Sequence, residues 1–196
     1  MKKLGQIFKN KDIVDRIFFT LMILLVFRIG ASISVPGVKI SETAGFDNLD
    51  VLSMMNLLGG GALSSFSIFA LGVSPYITAQ IIVQLLSMDV LPALTELNKQ
   101  GQYGRKKMEM ATRYLTLLLG AVQAYGIIKT MEATEYIKVT TIANSEFLTY
   151  AYIVTVLVAG GMLVMWLGDQ ISVKGIGNGI SVIIFAGIVV SLPKQI

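Results

Sequence analysis

Residues 147–167 read FLTYAYIVTVLVAGGMLVMWL, an apolar run that contains no charged side chain and has Trp166 near its end. A helix needs about 20 such residues to cross the roughly 30 Å of hydrocarbon in a bilayer. The whole chain has a matching composition, because 54% of its 196 residues are hydrophobic and only 14% are charged. An average soluble domain carries about 25% charged residues. The sequence therefore predicts an all-α membrane protein, with residues 1–196 forming a single membrane domain.

Four further apolar runs are predicted to cross the membrane, and they occupy residues 17–35, 74–88, 114–128 and 176–192. Pro75 stands in the first turn of the short run 74–88, a position that suits proline. Residues 1–16 hold five Lys/Arg and are similar to the charged start of a signal peptide. The apolar run after them is too long and lacks a small-residue cleavage site. We therefore predict a cytosolic amphipathic start, a retained first helix and five crossings in all.

Five crossings determine which loops share a side of the membrane. The side of the amino terminus receives eleven Lys/Arg, whereas the other side receives four, namely Lys39, Lys129, Lys138 and Lys194. Cytoplasmic loops carry the excess of Lys/Arg in membrane proteins, so the amino terminus is predicted to be cytoplasmic. Arg28 is the one charge deep inside an apolar run. We expect it to snorkel or to pair near the outer interface rather than to line a pore.

The chain contains no histidine and no cysteine. This composition excludes a Ser–His–Asp triad, a cysteine nucleophile, the usual zinc sites and a disulfide framework. Residues 175–179 (GIGNG) superficially resemble a nucleotide-binding loop, but no strand precedes them and no Walker lysine supports that interpretation. We therefore expect a protein that is not an enzyme and that uses no metal and no cofactor.

Residues 51–71, here called the glycine segment, do not fit a simple outer loop. The segment is apolar, and its glycines and serines are Gly59, Gly60, Gly61, Ser64, Ser65 and Ser67. Non-helical backbone at membrane depth is tolerated only inside protein or beside a water-filled cavity. We interpret the segment as a re-entrant element, with Leu63 and Phe66 shielded from lipid yet reachable from the outer aqueous side. The alternative is an amphipathic stretch that lies on the outer interface.

Several strings resemble those of the SecY family of protein-conducting channel subunits. Residues 67–77 (SIFALGVSPYI) and 81–86 (IIVQLL) are similar to its second helix. Further similar strings are 27–30 (FRIG), 35–37 (VPG), 104–107 (GRKK), 165–171 (MWLGDQI) and 175–181 (GIGNGIS). The strings follow the family's order and spacing along the chain. Because the family has ten helices in two pseudo-symmetric halves, the chain resembles the amino-terminal half, with helices one to five.

The resemblance implies four sets of functional residues. A ring of aliphatic side chains that narrows the pore at mid-membrane matches Val73, Ile77 and Ile184. A plug that closes the outer funnel at rest matches Leu57, Leu58, Gly59, Gly60, Gly61, Ala62, Leu63, Ser64, Ser65 and Phe66. A lateral gate toward lipid matches Thr78, Ile81 and Gln123. A cytosolic basic cluster matches Arg105, Lys106 and Lys107.

From the residues alone, other interpretations of these sets stay open. The aliphatic side chains could be ordinary core or lipid-facing residues, and the three consecutive glycines could form a flexible linker. The side chains of Thr78 and Gln123 could be solvated or hydrogen-bonded to backbone. Membrane topology alone could explain the basic cluster, which otherwise suits a ribosome, a motor ATPase or anionic lipid because all three are negatively charged.

The resemblance implies half of the Sec translocon pore in the bacterial plasma membrane, which conducts unfolded polypeptides across and releases apolar segments into lipid. The implied partners are the carboxyl-terminal half of the channel, small subunits of the SecE and SecG types, the SecA motor or a ribosome, polypeptides with a signal sequence, and membrane lipid. One alternative is half of a secondary transporter with a broken helix. Another is an isolated, inactive half that self-associates as a homo-oligomer.

Overall fold

Seven helices and two short strands make up the described part of the chain. The computed structural model describes residues 11–40, 50–88, 92–140 and 145–191. In chain order the elements are α1 (Lys11–Ala31), β1 (Val38–Ile40), α2 (Asp50–Leu58), α3 (Ser74–Leu86), α4 (Pro92–Lys99), α5 (Gln102–Ala133), β2 (Ile137–Val139), α6 (Glu146–Lys174) and α7 (Gly179–Ser191). Most of the predicted amphipathic start, and the predicted end of the last span at 192, lie outside the described residues.

The helices support the membrane class that the composition predicts. Two of them, α5 with 32 residues and α6 with 29, are long and apolar enough to cross a membrane. The apolar helices α3 and α7 have 13 residues each, which is fewer than the about 20 that a full crossing usually takes. The number of crossings therefore stays a prediction.

The two long helices extend beyond the predicted spans. α5 begins at Gln102 rather than at 114, because residues 102–113 include Arg, Lys, Met, Glu and Ala, which are strong helix formers. Residues 89–113, predicted to be a loop, therefore contain α4 and the first turns of α5. α6 continues past 167 to Lys174.

The first helix ends earlier than predicted. α1 stops at Ala31 rather than at 35, since the next residues pair with the glycine segment instead of continuing the helix. Val35 N donates to Phe66 O (2.9 Å), and Ile68 N donates to Ile33 O (3.0 Å). The end of α1 is thereby joined to the glycine segment by strand-like hydrogen bonds.

A two-stranded antiparallel sheet joins the chain after α1 to the chain after α5. Its register pairs Val38 with Val139 and Ile40 with Ile137. The sheet follows directly from the end of α5, where Glu135 has a left-handed φ of +56° and Tyr136 N donates back to Met131 O. This arrangement closes the helix in a Schellman motif. Strands of three residues are too short to show an alternating pattern, so the sequence did not predict them.

The core consists of two apolar clusters, and the glycine segment contributes to both. In the first cluster, Leu63 and Phe66 pack against buried side chains of α5 and α6. In the second, Ala62 and Phe69 pack against α1, α6 and α7. Phe69 stacks on Phe27 of α1, with ring centroids 5.7 Å apart. The glycine segment therefore lies between the helices and is part of the interior.

Candidate functional site

The glycine segment starts as helix α2 and then turns back on itself. Gly60 and Gly61 have φ values of +68° and +83°, which glycine adopts without steric cost. Asn56 stabilises the turn twice, since its backbone oxygen accepts from Gly61 N and its Oδ1 accepts from Ser64 N, both at 2.8 Å. Phe66 has a φ of +40° without being glycine. A side chain in this region costs about 1–2 kcal/mol, so the packing around Phe66 must hold it there.

Side chains from several helices cover the segment. Ala62 and Leu63 are 0% exposed and Phe66 is 1% exposed. The segment therefore packs inside the protein rather than on its surface. The expectation that Leu63 and Phe66 can be reached from the outer aqueous side is wrong for this structure, because both side chains are enclosed by the first apolar cluster.

Two glycines of neighbouring helices allow the segment to approach closely. A methyl group at Gly160 of α6 would overlap the carbonyl oxygen of Ile68. A methyl group at Gly187 of α7 would lie 2.8 Å from Leu58 O and 3.1 Å from Gly60 N. Backbone therefore meets backbone at both places, and larger residues would push the segment outward.

Two side chains from outside the segment donate hydrogen bonds to its backbone. Arg28 Nη1 of α1 donates to Gly60 O at 3.0 Å. Tyr136 Oη donates to Ser64 O at 3.1 Å, and burial raises the pKa of the Tyr136 phenol. Arg28 thus pairs with a backbone carbonyl of the glycine segment. The partners of these two donors cannot be inferred from the sequence. Arg28 and Gly60 are 32 residues apart, and Tyr136 and Ser64 are 72 residues apart.

The three aliphatic residues assigned to a ring come together in one cluster. Val73 is buried in the second apolar cluster, and Ile77 and Ile184 pack against that cluster from α3 and α7. Val73 stands just before α3 as its N-cap residue, and Ile77 N donates to Val73 O (3.0 Å). The two residues are therefore one helical turn apart.

The residues assigned to a lateral gate lie on two helices that pack against each other. Pro75 of α3 lies close to Gly120 of α5, where a methyl group would be 3.8 Å from the proline ring. The Thr78 hydroxyl donates to Ser74 O within its own helix. Gln123 Oε1 is buried and has no hydrogen-bond partner among the described residues, and the structure therefore does not join Thr78 to Gln123. Ile81 is half exposed on α3.

The basic cluster lies in the first turns of α5, where Arg105, Lys106 and Lys107 are all exposed. Lys107 Nζ lies 4.9 Å from the centroid of the Tyr103 ring. Positive charge at a helix amino terminus opposes the helix dipole, so the charges of these side chains do not stabilise α5 electrostatically. Arg105 also borders a partly polar cavity of about 730 Å³ between α3, α5 and α6.

Polar contacts join α5 to α6 at both ends, and sequence reasoning missed them. At one end, Arg113 Nη2 lies 2.9 Å from Asp169 Oδ2. At the other end, Tyr150 Oη donates to Glu132 Oε2 (2.6 Å) and Lys129 Nζ donates to Tyr150 Oη (2.8 Å). The sequence contains one signal for the pair between Arg113 and Asp169. The two residues have opposite charges and stand just outside two predicted spans, at ends predicted to lie on the same side of the membrane.

Comparison with known proteins gives a family and several relatives. The family model for SecY matches residues 67–196. The chain is 49% identical over 195 residues to a protein translocase subunit SecY of Lactococcus lactis (strain IL1403) and 48% identical over 195 residues to one of Bacillus subtilis (strain 168). Both comparisons cover 100% of this chain. The chain spans 44% and 45% of the length of these two relatives.

Two solved structures have a similar fold. One is Sec61 in a canine ribosome–channel complex from the endoplasmic reticulum, with a TM-score of 0.61, 20% identity, and coverage of 89% of this chain and 36% of that chain. The other is a structure of a protein conducting channel, with a TM-score of 0.60, 19% identity and the same coverage of 89% and 36%. At this level of identity the similarity concerns the fold alone.

Proposed function

The chain belongs to the SecY family, and we propose that it forms the amino-terminal half of a channel for unfolded polypeptides in the bacterial plasma membrane. The complete channel also releases apolar segments sideways into lipid, and it performs no covalent chemistry. The observation that carries the proposal is the burial of an uncharged, glycine-broken segment between two helical clusters. Broken helices of this kind line the substrate paths of channels and transporters.

In this proposal, α1, α3, α5, α6 and α7 are the five crossings. The short helices α3 and α7 cross because protein encloses them in part, and flanking residues and local thinning of the bilayer accommodate the remaining mismatch. The excess of eleven Lys/Arg against four on the two sides supports a cytoplasmic amino terminus.

The constriction of the channel consists of Val73, Ile77 and Ile184 together with residues of the other half. Branched aliphatic side chains seal around a peptide without hydrogen-bonding to it, and a narrow apolar constriction excludes water. The ten residues from Leu57 to Phe66 act as the plug on the outer side of this ring. Their packing in both apolar clusters supports a closed resting state.

The lateral gate has one wall in this chain, made by α3 and α5. Thr78, Ile81 and Gln123 lie on that wall. The Oε1 of Gln123 has no partner in the described part of the chain, which supports a polar partner on the opposite wall. Polar contacts between helices in a membrane are worth about 0.6–2 kcal/mol. Such a contact keeps a gate closed and still allows an apolar signal sequence to open it.

The partners follow from this role. They are the carboxyl-terminal half of the channel, small subunits of the SecE and SecG types, the SecA motor or a ribosome, polypeptides with a signal sequence, and membrane lipid. The exposed cluster of Arg105, Lys106 and Lys107 supports contact with a negatively charged partner on the cytoplasmic side.

The proposal is tested by producing this chain together with the carboxyl-terminal half of the channel in cells depleted of their own channel subunit. A reporter with a signal sequence should leave the cytoplasm only when both halves are present. Ile77→Gly should increase ion leakage through the channel, whereas Leu85→Gly, on an exposed position of the same helix, should not.

Two other results would decide against a polypeptide channel. If the reporter stays inside although both halves are in the membrane, the proposed function is wrong. Uptake of small solutes by liposomes that contain the chain would favour the transporter alternative, and detergent-stable oligomers without any activity would favour the self-associating half.

A further inference from the structure

We propose that Arg28 and Tyr136 are positioning residues that latch the glycine segment in its buried site. Each donates a side-chain hydrogen bond to one backbone carbonyl oxygen of the segment, Arg28 to Gly60 and Tyr136 to Ser64. The importance of this latch for closing a channel rests on the proposed function. The latch itself rests on the contacts alone.

The two carbonyl oxygens need donors that the segment does not supply. After α2 the chain runs in successive turns, and no backbone N–H of the described residues donates to Gly60 O or to Ser64 O. A buried carbonyl without a donor costs free energy comparable to a lost hydrogen bond. Arg28 and Tyr136 therefore supply the donors for these two oxygens in the described structure.

The two donors are held by different parts of the fold. Arg28 lies in the last turn of α1. Tyr136 lies between the Schellman end of α5 and strand β2. The two bonded oxygens, of Gly60 and Ser64, enclose the three residues 61–63, of which Ala62 and Leu63 are fully buried. The latch thus ties the turn of the segment to α1 on one side and to the end of α5 on the other.

The Arg28 contact uses a charged donor and can be released without covalent change. A charged guanidinium forms stronger hydrogen bonds than a neutral donor does. Arg28 also borders an apolar cavity of about 390 Å³ between α1 and α7, which Gly60 and Gly187 line as well. The side chain therefore has space to turn away from Gly60 when the segment leaves its site.

Arg16 offers a matched control on the same helix. Its Nη1 donates to Gly175 O at 3.3 Å, so it makes the same kind of guanidinium-to-carbonyl contact at the opposite end of α1. Tyr114 is a control for Tyr136, because its side chain is 74% exposed at the start of the apolar part of α5. Neither control residue contacts the glycine segment in the described structure.

The test is hydrogen exchange of the backbone amides of residues 59–67, measured by mass spectrometry on the full chain in lipid nanodiscs. Exchange of these amides should rise about tenfold in Arg28→Gln and about fivefold in Tyr136→Phe, as expected for lost charged and neutral hydrogen bonds. Arg28→Lys, which keeps a charged donor, should restore most of the protection. Arg16→Gln and Tyr114→Phe should leave exchange in this stretch unchanged.

Hydrogen exchange of the α6 amides distinguishes a local loss of protection in the glycine segment from a general loss of stability. A general loss of stability raises exchange in α6 as well, whereas a lost latch raises it only in the glycine segment. If Arg28→Gln does not fold, Tyr136→Phe still removes one bond of the latch, and unchanged exchange of residues 59–67 in that variant would overturn the proposal. The double variant that combines Arg28→Gln with Tyr136→Phe gives the decisive result. If it folds and the exchange of residues 59–67 is unchanged, the proposal is overturned.

The outcome is independent of the secretion assay. If exchange does not change but the two halves secrete the reporter, the latch is wrong and the channel stands. If exchange changes but the two halves never secrete the reporter, the proposed role of Arg28 and Tyr136 is supported and the proposed function as a polypeptide channel is wrong.

Discussion

Replacing Gly187 by alanine tests how closely α7 approaches the glycine segment. The added methyl group would lie 2.8 Å from Leu58 O and 3.1 Å from Gly60 N, and both atoms belong to the backbone. Carbon and oxygen normally meet at about 3.3 Å or more, so α7 or the segment has to move by about 0.5 Å. Overpacking of this kind costs about 1–3 kcal/mol. Alanine also gains about 1 kcal/mol because it is the better helix former.

Gly126→Ala separates these two contributions. A methyl group at Gly126, in the interior of α5, would meet no atom within 4 Å, so this variant has the gain in helix propensity without the steric cost. The difference in stability between the two variants is therefore the cost of the close approach alone, about 1–3 kcal/mol.

Thermal unfolding in one detergent, followed by circular dichroism, measures this difference. For a chain of this size, each kcal/mol corresponds to about 2–4 °C in melting temperature. Gly187→Ala should therefore melt at least about 2 °C below Gly126→Ala. Equal melting temperatures would refute the reasoning, because they would mean that α7 and the segment are not in backbone contact.

Three further predictions concern stability. Glu135→Gly should raise the melting temperature, since a φ of +56° costs a non-glycine residue about 1–2 kcal/mol. Glu135→Ala keeps that cost, and an equal gain in both variants would contradict the explanation. A double-mutant cycle should give Arg113 and Asp169 a coupling energy below about 1 kcal/mol, because their side chains are 51% and 34% exposed. A coupling above about 2 kcal/mol would show that the pair is shielded from water. Burial raises the pKa of the Tyr136 phenol in the folded protein above its value in the unfolded chain. The contribution of the protonated phenol to the free energy of unfolding is therefore complete below about pH 10 and is lost as the pH rises through the folded-state pKa. The melting temperature should therefore fall more steeply above pH 10 in the original protein than in Tyr136→Phe, and parallel curves would exclude this role of the phenol.

The membrane class and the family could be predicted from the sequence. The run 147–167 lies within α6, and the position of Pro75 in the first turn of a helix agrees with the structure. These features depend on neighbouring residues along the chain, which is why a pattern of side chains is sufficient to indicate them. The resemblance to the SecY family is confirmed by the family model and the bacterial relatives.

The contacts around the glycine segment could not be predicted in the same way. Tyr136 reaches Ser64 only because the Schellman end of α5 and the pairing of β1 with β2 bring distant parts of the chain together. The start of α5 at Gln102 was missed for another reason. The charged residues 102–113 indicated a cytosolic loop, although charged side chains such as Lys, Arg and Glu also favour helix.

The placement of the glycine segment in two clusters at once limits what can replace it. If the segment left entirely, the sites of Leu63 and Phe66 in one cluster and of Phe69 in the other would become empty together. Vacating one large buried side chain costs about 2–5 kcal/mol, and the cost grows with each void. A guest of similar apolar volume offsets that cost, whereas a hydrated polar chain does not. If this chain forms the channel half proposed above, its interior distinguishes between incoming chains by the apolar volume that they bring, before any specific contact is made.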